Sequence, residues 1–195
     1  MPAYTLIEGD PVQRKAVRSW LHGLDRVGSK TQEAIITAWV TAWVASPYEA
    51  IEAFPYSAAA PFYGLSKHVN DVTRIGIDLA HRASADWGVT LDDEVLIPIL
   101  ILHDVDKPLM FVRNGEVVAH SPLSRELPHG VVGAMILKDL GFVDPIISTV
   151  AVHAANAPFH GSNFEAMVLH YADYFATDYV FRQTTSRPFY QRHWQ

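Results

Sequence analysis

The sequence predicts a single all-α domain, a helical bundle carrying one small β-hairpin. Apolar residues recur at three- and four-residue spacing through most of the chain, the period of a helix with one buried face. Helix-start signals precede most of these segments, as an acid or hydroxyl residue followed by Pro or, three positions on, by Gln or Glu. Two short apolar-rich runs flanking an Asn-Gly pair mark the hairpin, at 110–119.

The elements follow in order. Asp10-Pro11 opens a helix that should end near Gly23. Ser29-Lys30-Thr31-Gln32 has the form of a capping box. The helix behind it sets Ile36, Trp39, Val40, Trp43 and Val44 on one face and stops before Pro47. Neither helix offers metal-ligating residues in its apolar face, so both are expected to pack the core and wall a substrate. EAFPYSAAAPFYG, residues 52–64, reads as a loop with short turns. A helix then runs from about Ser66 to Trp87. Thr90 is positioned to cap the next, which reaches Asp104, with Pro98 predicting a kink or a late start. Asn114-Gly115 suits a type I′ turn. A helix from about Pro128 to Leu140 ends on Gly141, Asp144-Pro145 starts another, and Ser162-Asn163-Phe164-Glu165 caps a last one reaching about Arg182. The tail TTSRPFYQRHWQ is irregular. No repeat, low-complexity tract or linker divides residues 1–195.

Composition narrows the function classes. A chain of 195 residues can bury one good core, and 49% apolar against 18% charged residues excludes a disordered chain. The net charge of -6 and the lack of Lys/Arg clusters argue against a broad nucleic-acid surface but leave room for a local anion site. Without cysteine there are no disulfides and no thiolate metal sites. MPAYTLIEGD does not have the pattern of a secretory signal, and the densest apolar run, Val95 to Leu102, is too short to span a membrane. A soluble, cytoplasmic protein with no membrane partner is expected. Trp39 and Trp43 read as core residues or as homodimer contacts.

Six polar residues fall on faces that should be core. His68 shares a face with Val72, Ile75 and Leu79; His103 with Leu96, Ile99 and Leu100; His129 with Val132, Gly133, Ile136 and Leu140. His153 aligns with Ile146 and Val150, and Asp173 with Ala166, Leu169 and Ala176. Asp104 follows His103 directly. A lone histidine in such a place is ordinarily a satisfied core residue. Four on separate segments, with two carboxylates, need another account, unless the helices are misplaced and the residues lie on the surface. Burying even a neutral polar group without a partner costs roughly 2–7 kcal/mol, and a lone carboxylate costs more. Two cations would satisfy Asp104 and Asp173 and turn the imidazoles into ligands. Nitrogen and oxygen donors together favour iron, manganese, cobalt, nickel or zinc over calcium.

His68, His103-Asp104 and Asp173 resemble the four-residue signature of the HD superfamily of metal-dependent phosphohydrolases. The stretch LHDVDKP, Leu102 to Pro108, is similar to that family's histidine-aspartate motif, lysine included. His129 and His153 match the extra histidines of its binuclear, six-ligand branch, which also includes diiron oxygenases. The order HGVVGAMILKDLG, AVHAAN, LHYADYFATDYVFR resembles HD-type hydrolases of dinucleoside polyphosphates, and the likeness covers His68 to Arg182. Two departures stand out: Ala154-Ala155 follows His153 where those hydrolases have a threonine, and the hairpin at 110–119 lies outside the motif.

The resemblance implies an HD-domain bundle with a metal-binding core at about 66–182. It implies two divalent transition-metal ions, iron or manganese ahead of cobalt, nickel or zinc. One ion would take His68, His103, Asp104 and Asp173, the other His129 and His153, with Asp104 bridging and a hydroxide between them. The activity implied is hydrolysis of a phosphate ester or anhydride, nucleotides included. Lys107, one turn beyond His103, would join Asp104 as a catalytic residue and contact an anionic small-molecule substrate. Arg113 beside the hairpin turn, Arg125 before His129, Asn156 after His153, and Arg182 are further candidate substrate contacts. His120 and His160 are placed near the same loops, and His170 near Asp173 reads as a partner of a ligand or a packing residue. His22 and His81 read as structural or exposed. Low charge content makes a small monoester or organic acid more natural than a polyphosphate. Two other classes remain: a mixed-valence diiron oxygenase, with Tyr56 and Tyr63 closing over a small organic substrate, and a non-catalytic nucleotide-binding domain.

Overall fold

In the computed structural model, Asp10 caps α1 (Pro11–Trp20) by accepting from Val12 and Gln13 N–H, and the Gln13 side chain returns to Asp10 N–H. The structure describes residues 3–154 and 162–192. Beyond α1, Gly23 takes a positive φ of 76° and turns the chain into a short 3₁₀ segment.

The capping box expected at Ser29 does not form. Gly28 is the N-cap of α2 (Ser29–Ala45) and gives no side-chain cap. Glu94 supplies it from another helix, accepting from Gly28 N–H and from the Thr31 hydroxyl at 2.6 Å. The Thr31 hydroxyl and the Gly28 amide hold the Glu94 carboxyl below its ordinary pKa. Helix α2 is buried around most of its circumference, with Ile35, Ile36, Trp39 and Val40 in the core. Trp39 is a core residue, meeting Trp20 edge-on at 5.0 Å, whereas Val44 on the expected face is exposed.

The segment expected to be a loop forms a second hairpin. Strands β1 (Pro55–Ser57) and β2 (Ala60–Gly64) pair antiparallel, Pro55 with Gly64 and Ser57 with Ala60, and the register shifts between them. Phe54, Tyr56, Ala60 and Tyr63 are buried, so the hairpin is held by its inward side chains. It leads directly into α3 (Leu65–Trp87), which stops at Gly88, φ 67°.

Helix α4 (Asp93–Leu102) is capped by Asp92, not Thr90, and runs through Pro98. Leu96 to Leu102 are all buried, making α4 the centre of the bundle. It stops one residue before His103, short of Asp104. A tight turn leads to α5 (Lys107–Met110), then to β3 (Phe111–Asn114) and β4 (Val117–His120), paired Phe111 to His120 and Asn114 to Val117. The connecting residues are Gly115-Glu116, and only Gly115 has positive φ. That pattern fits a type II′ turn, not the expected I′, which needs positive φ at both.

After α6 (Leu123–Glu126) come α7 (Val131–Asp139), α8 (Asp144–Val152) and α9 (Phe164–Phe181), the last capped by Asn163 through Ala166 N–H. The α7 helix begins three residues later than expected, because Gly130, its N-cap, has φ 92°. The α3 helix packs on α9 and α4, α7 packs on α8, and α4 also meets α2, α8 and α9. No helix among the described residues is long and apolar enough to cross a membrane.

A Cβ at Gly130 would lie 2.6 Å from the Val150 carbonyl oxygen, and the left-handed backbone there adds strain. Gly130→Ala is therefore expected to destabilise the fold by about 1–3 kcal/mol, read as a lower denaturant midpoint with an unchanged slope.

Candidate metal centre

Two helix interiors and three helix ends build the centre. His68 projects from the body of α3 and Asp173 from that of α9. His103 and His153 are the C-cap residues of α4 and α8. Asp104 follows His103 into the turn, and His129 lies in the turn before α7. The expectation that His103, His129 and His153 sit along helix faces is thus corrected. Their side chains do reach the same interior point, because α4 and α8 both end there and Gly130 bends the chain toward them.

Asp104, 1% exposed, divides its two oxygens between two groups. Its Oδ2 lies 3.3 Å from His68 Nε2 and 3.4 Å from His103 Nε2. Its Oδ1 lies 2.8 Å from His129 Nε2 and 3.4 Å from His153 Nε2. Donor atoms of His68, His103 and Asp104 lie within 4.8 Å of one another, as do those of Asp104, His129 and His153. Asp173 joins the first group through Oδ1, 3.1 Å from His68 Nε2. The result is two His/Asp triads with one shared carboxylate.

Outer hydrogen bonds orient these rings. His103 Nδ1 donates to the Leu100 carbonyl at 2.9 Å and His153 Nδ1 to the Val150 carbonyl at 2.8 Å, the same three-residue reach at two helix ends. Each bond turns the Nε2 lone pair toward the cluster. His129 Nδ1 faces Asp106 Oδ1 at 2.7 Å. Asp106 is fully buried, and its Oδ2 accepts from Gly130 N–H at 2.8 Å and Gly133 N–H at 3.3 Å. Only His68 has its Nδ1 buried with no partner; its ring lies against Tyr56, centroids 4.0 Å apart.

The charges are tightly set. Burial pushes the Asp104 carboxyl up, but Lys107 and the histidines outweigh it and hold the pKa well below the ordinary range. Burial likewise opposes ionisation of Asp106 and Asp173, and His129 and His68 respectively more than offset it. Burial disfavours a charged His129, yet Asp106 and Asp104 raise its pKa to about 9. Burial lowers that of His153, which favours the neutral, ligating ring.

These residues fit divalent ions. The donors are imidazole nitrogens and carboxylate oxygens, with the tautomers of His103 and His153 set for ligation. Asp104 Oδ2 is buried 2.7 Å from Lys107 Nζ, and His68 Nε2 and His103 Nε2 lie 3.3 and 3.4 Å from it. A buried, ionised carboxylate oxygen facing imidazole nitrogens suits a cation. Lys107 pairs with Asp104 and not with Asp106, and its ammonium lies 3.9 Å from the Tyr56 ring centroid.

The remaining candidates divide. Lys107 and His129 line a cavity of about 560 Å³ with Met110, Phe111, His120 and Ser124. Arg125, exposed on α6, is not among its walls. Arg113 donates to the Pro61 carbonyl at 3.1 Å and lines a different cavity with Tyr48 and Glu49. Arg182, exposed, lines a third with Arg74 and Tyr179. None of the three arginines is brought to the cluster. Asn156 and His160 lie outside the described residues. His170 packs against Tyr174, and His22 and His81 are exposed. Tyr63 hydrogen-bonds Asp71, while Tyr56 reaches the centre. Sequence reasoning missed Asp106, whose one signal is a second acid inside the apolar run around Val105, and Thr177, one helical turn after Asp173, whose hydroxyl donates to Asp173 Oδ1 at 3.1 Å.

The fold and its site define a helical protein with a shared-carboxylate His/Asp centre suited to divalent metal ions. The dihydroneopterin 2′,3′-cyclic phosphate phosphodiesterase of Methanocaldococcus jannaschii is 28% identical to it over 111 residues, 56% of this chain and 45% of that protein. The chain thus spans less than half the length of that relative. No family model matches the chain, and no solved structure does.

Asp106→Ala leaves two amides and His129 Nδ1 unpaired, at about 1–3 kcal/mol for each buried donor. The variant is expected to unfold at lower denaturant and to bind divalent ions about 10–100-fold more weakly at the His129 group, as read by metal titration.

Proposed function

We propose that the chain is an HD-type phosphohydrolase that cleaves a small phosphate ester, a phosphodiester foremost, using two divalent transition-metal ions. The observation that carries this reading is the division of the Asp104 oxygens between two nitrogen-rich groups. His68, His103, Asp104 and Asp173 would hold one ion, and Asp104, His129 and His153 the other. Iron or manganese suits such a mixed nitrogen and oxygen set, as do cobalt, nickel and zinc. Ions bound there supply Lewis acidity, activating water at neutral pH and drawing charge from a phosphoryl oxygen.

The protein's own residues do the rest. His103 and His153 keep their lone pairs aimed inward through their carbonyl bonds. Lys107 stands where the cavity meets the cluster, its ammonium directed by Asp104 and the Tyr56 ring. There it can stabilise charge spreading over phosphoryl oxygens in the transition state. The cavity walls also bear on substrate class. Among the described residues that line it, Lys107 is the one Lys or Arg, and Met110, Phe111, Pro128 and Val131 are apolar. Such walls suit a singly charged ester with an apolar or aromatic body better than a polyphosphate. The name of the archaeal relative, a phosphodiesterase of a cyclic phosphate, supports the same class.

Metal analysis joined to a substrate screen tests this reading. About two ions per chain are expected, with phosphate-ester cleavage from cyclic nucleotides or bis(p-nitrophenyl) phosphate. Asp104→Ala should abolish turnover and leave a weak centre, and His153→Ala should lose one ion before the other. Lys107→Ala should lower kcat about 10²–10³-fold at unchanged metal content. Substrate-dependent O₂ consumption without ester cleavage would overturn hydrolysis in favour of oxygenase chemistry.

A further inference from the structure

We infer that Tyr56 is a positioning residue for the His68–Asp173 half of the centre: its ring braces His68, and its hydroxyl orients Asp173 through Thr177. The inference rests on the metal reading above. It starts from an asymmetry. His103, His129 and His153 each have Nδ1 tied to a carbonyl or to Asp106. His68 Nδ1 is buried without any such tie. What lies against the His68 ring is the phenol of Tyr56, at 4.0 Å between centroids and 37° between planes. Packing there takes the place of the missing hydrogen bond in setting the ring's direction.

The hydroxyl reaches the other ligand. Tyr56 Oη and Thr177 Oγ1 are 2.6 Å apart, and Thr177 donates to Asp173 Oδ1 at 3.1 Å. Ionised Asp173 can only accept, so the Thr177 proton points to it and the Tyr56 proton must point to Thr177. The chain of donors has one direction, Tyr56 to Thr177 to Asp173. Tyr56 and Thr177 are 5% and 3% exposed, so water does not compete for these bonds. Asp173 Oδ1 is the atom that faces His68 Nε2, so one oxygen receives both the relay and the histidine. Tyr56 comes from the β1–β2 hairpin and Thr177 from α9, one turn beyond Asp173. The N-terminal hairpin is thereby wired to the two ligands that come from helix interiors.

The test is Co²⁺ titration of the metal-free full chain, followed by visible absorption, which reports the ligand field independently of turnover. Tyr56→Phe keeps the ring and deletes the relay; it is expected to weaken one of two Co²⁺ sites about tenfold. Thr177→Val should do the same, and the double variant should be no worse than either alone, because both break one chain. Thr177→Ser should bind as the wild type does. Tyr56→Leu, which also removes the brace on His68, should weaken binding further and shift the spectrum. In a His153→Ala background the Tyr56→Phe effect should persist, locating it at the His68–Asp173 group. Circular dichroism of each metal-free variant checks folding, and Tyr56→Phe with Thr177→Ser decides the matter if Tyr56→Leu does not fold. Wild-type binding matched by Tyr56→Phe, or additive losses in the double variant, would overturn this role alone. A folded wild-type chain that binds no Co²⁺ would overturn the metal reading and this inference with it.

Discussion

Everything in the centre of this molecule answers to one carboxylate withdrawn from water. Asp104 is 1% exposed and ionised, and an anion at such depth is tolerable only amid converging positive or donating groups. Lys107 and four imidazoles provide that surround, from the start of α5, from α3, the end of α4, the turn before α7 and the end of α8. The bundle can be described as the means of bringing those segments to one point. The apolar helix α4 sits at its centre because it delivers His103 and Asp104, and α3, α8 and α9 pack around it because each delivers one residue more.

A second carboxylate makes the first one directional. Asp106 ties the His129 ring to the amides of Gly130 and Gly133, so the turn, the start of α7 and the imidazole form one hydrogen-bonded unit. Gly133 lets α7 approach closely: a Cβ there would meet Val105 at 3.2 Å and Val150 at 3.3 Å. Small residues and left-handed glycines around the site serve approach distance and turn direction.

What the sequence made legible follows local physics. The 3.6-residue period placed His68 and Asp173 correctly, since each lies inside a long helix with a clear buried face. The adjacency of His103 and Asp104 needed no fold to be noticed. His129 and His153 were recognisable as a pair of inward groups, but not as helix-end residues; for His129 the reason is Gly130, which changes the backbone just where a helix was expected to run. The hairpin bearing Tyr56 escaped because a three-residue strand with Pro and a register shift shows no alternation. Asp106 escaped because its partner lies 23 positions away, and the caps of α2 and α4 because Glu94 acts on a different helix and Asp92 competes with Thr90. Arg113 and Arg125 were placed by chain position and Arg182 by family resemblance, and neither tells where a long, exposed side chain rests.

The two histidines that cap α4 and α8 have an electrostatic corollary. At the C-terminus of a helix the last carbonyls are unpaired and the macrodipole ends in a partial negative charge. Two such ends converge on this interior, with the carbonyls of Leu100 and Val150 bonded to the His103 and His153 rings themselves. The peptide backbone therefore contributes its own negative potential to the centre, over and above the carboxylates. Attraction for positive charge is built into the architecture, and the side chains are left to decide which element answers it.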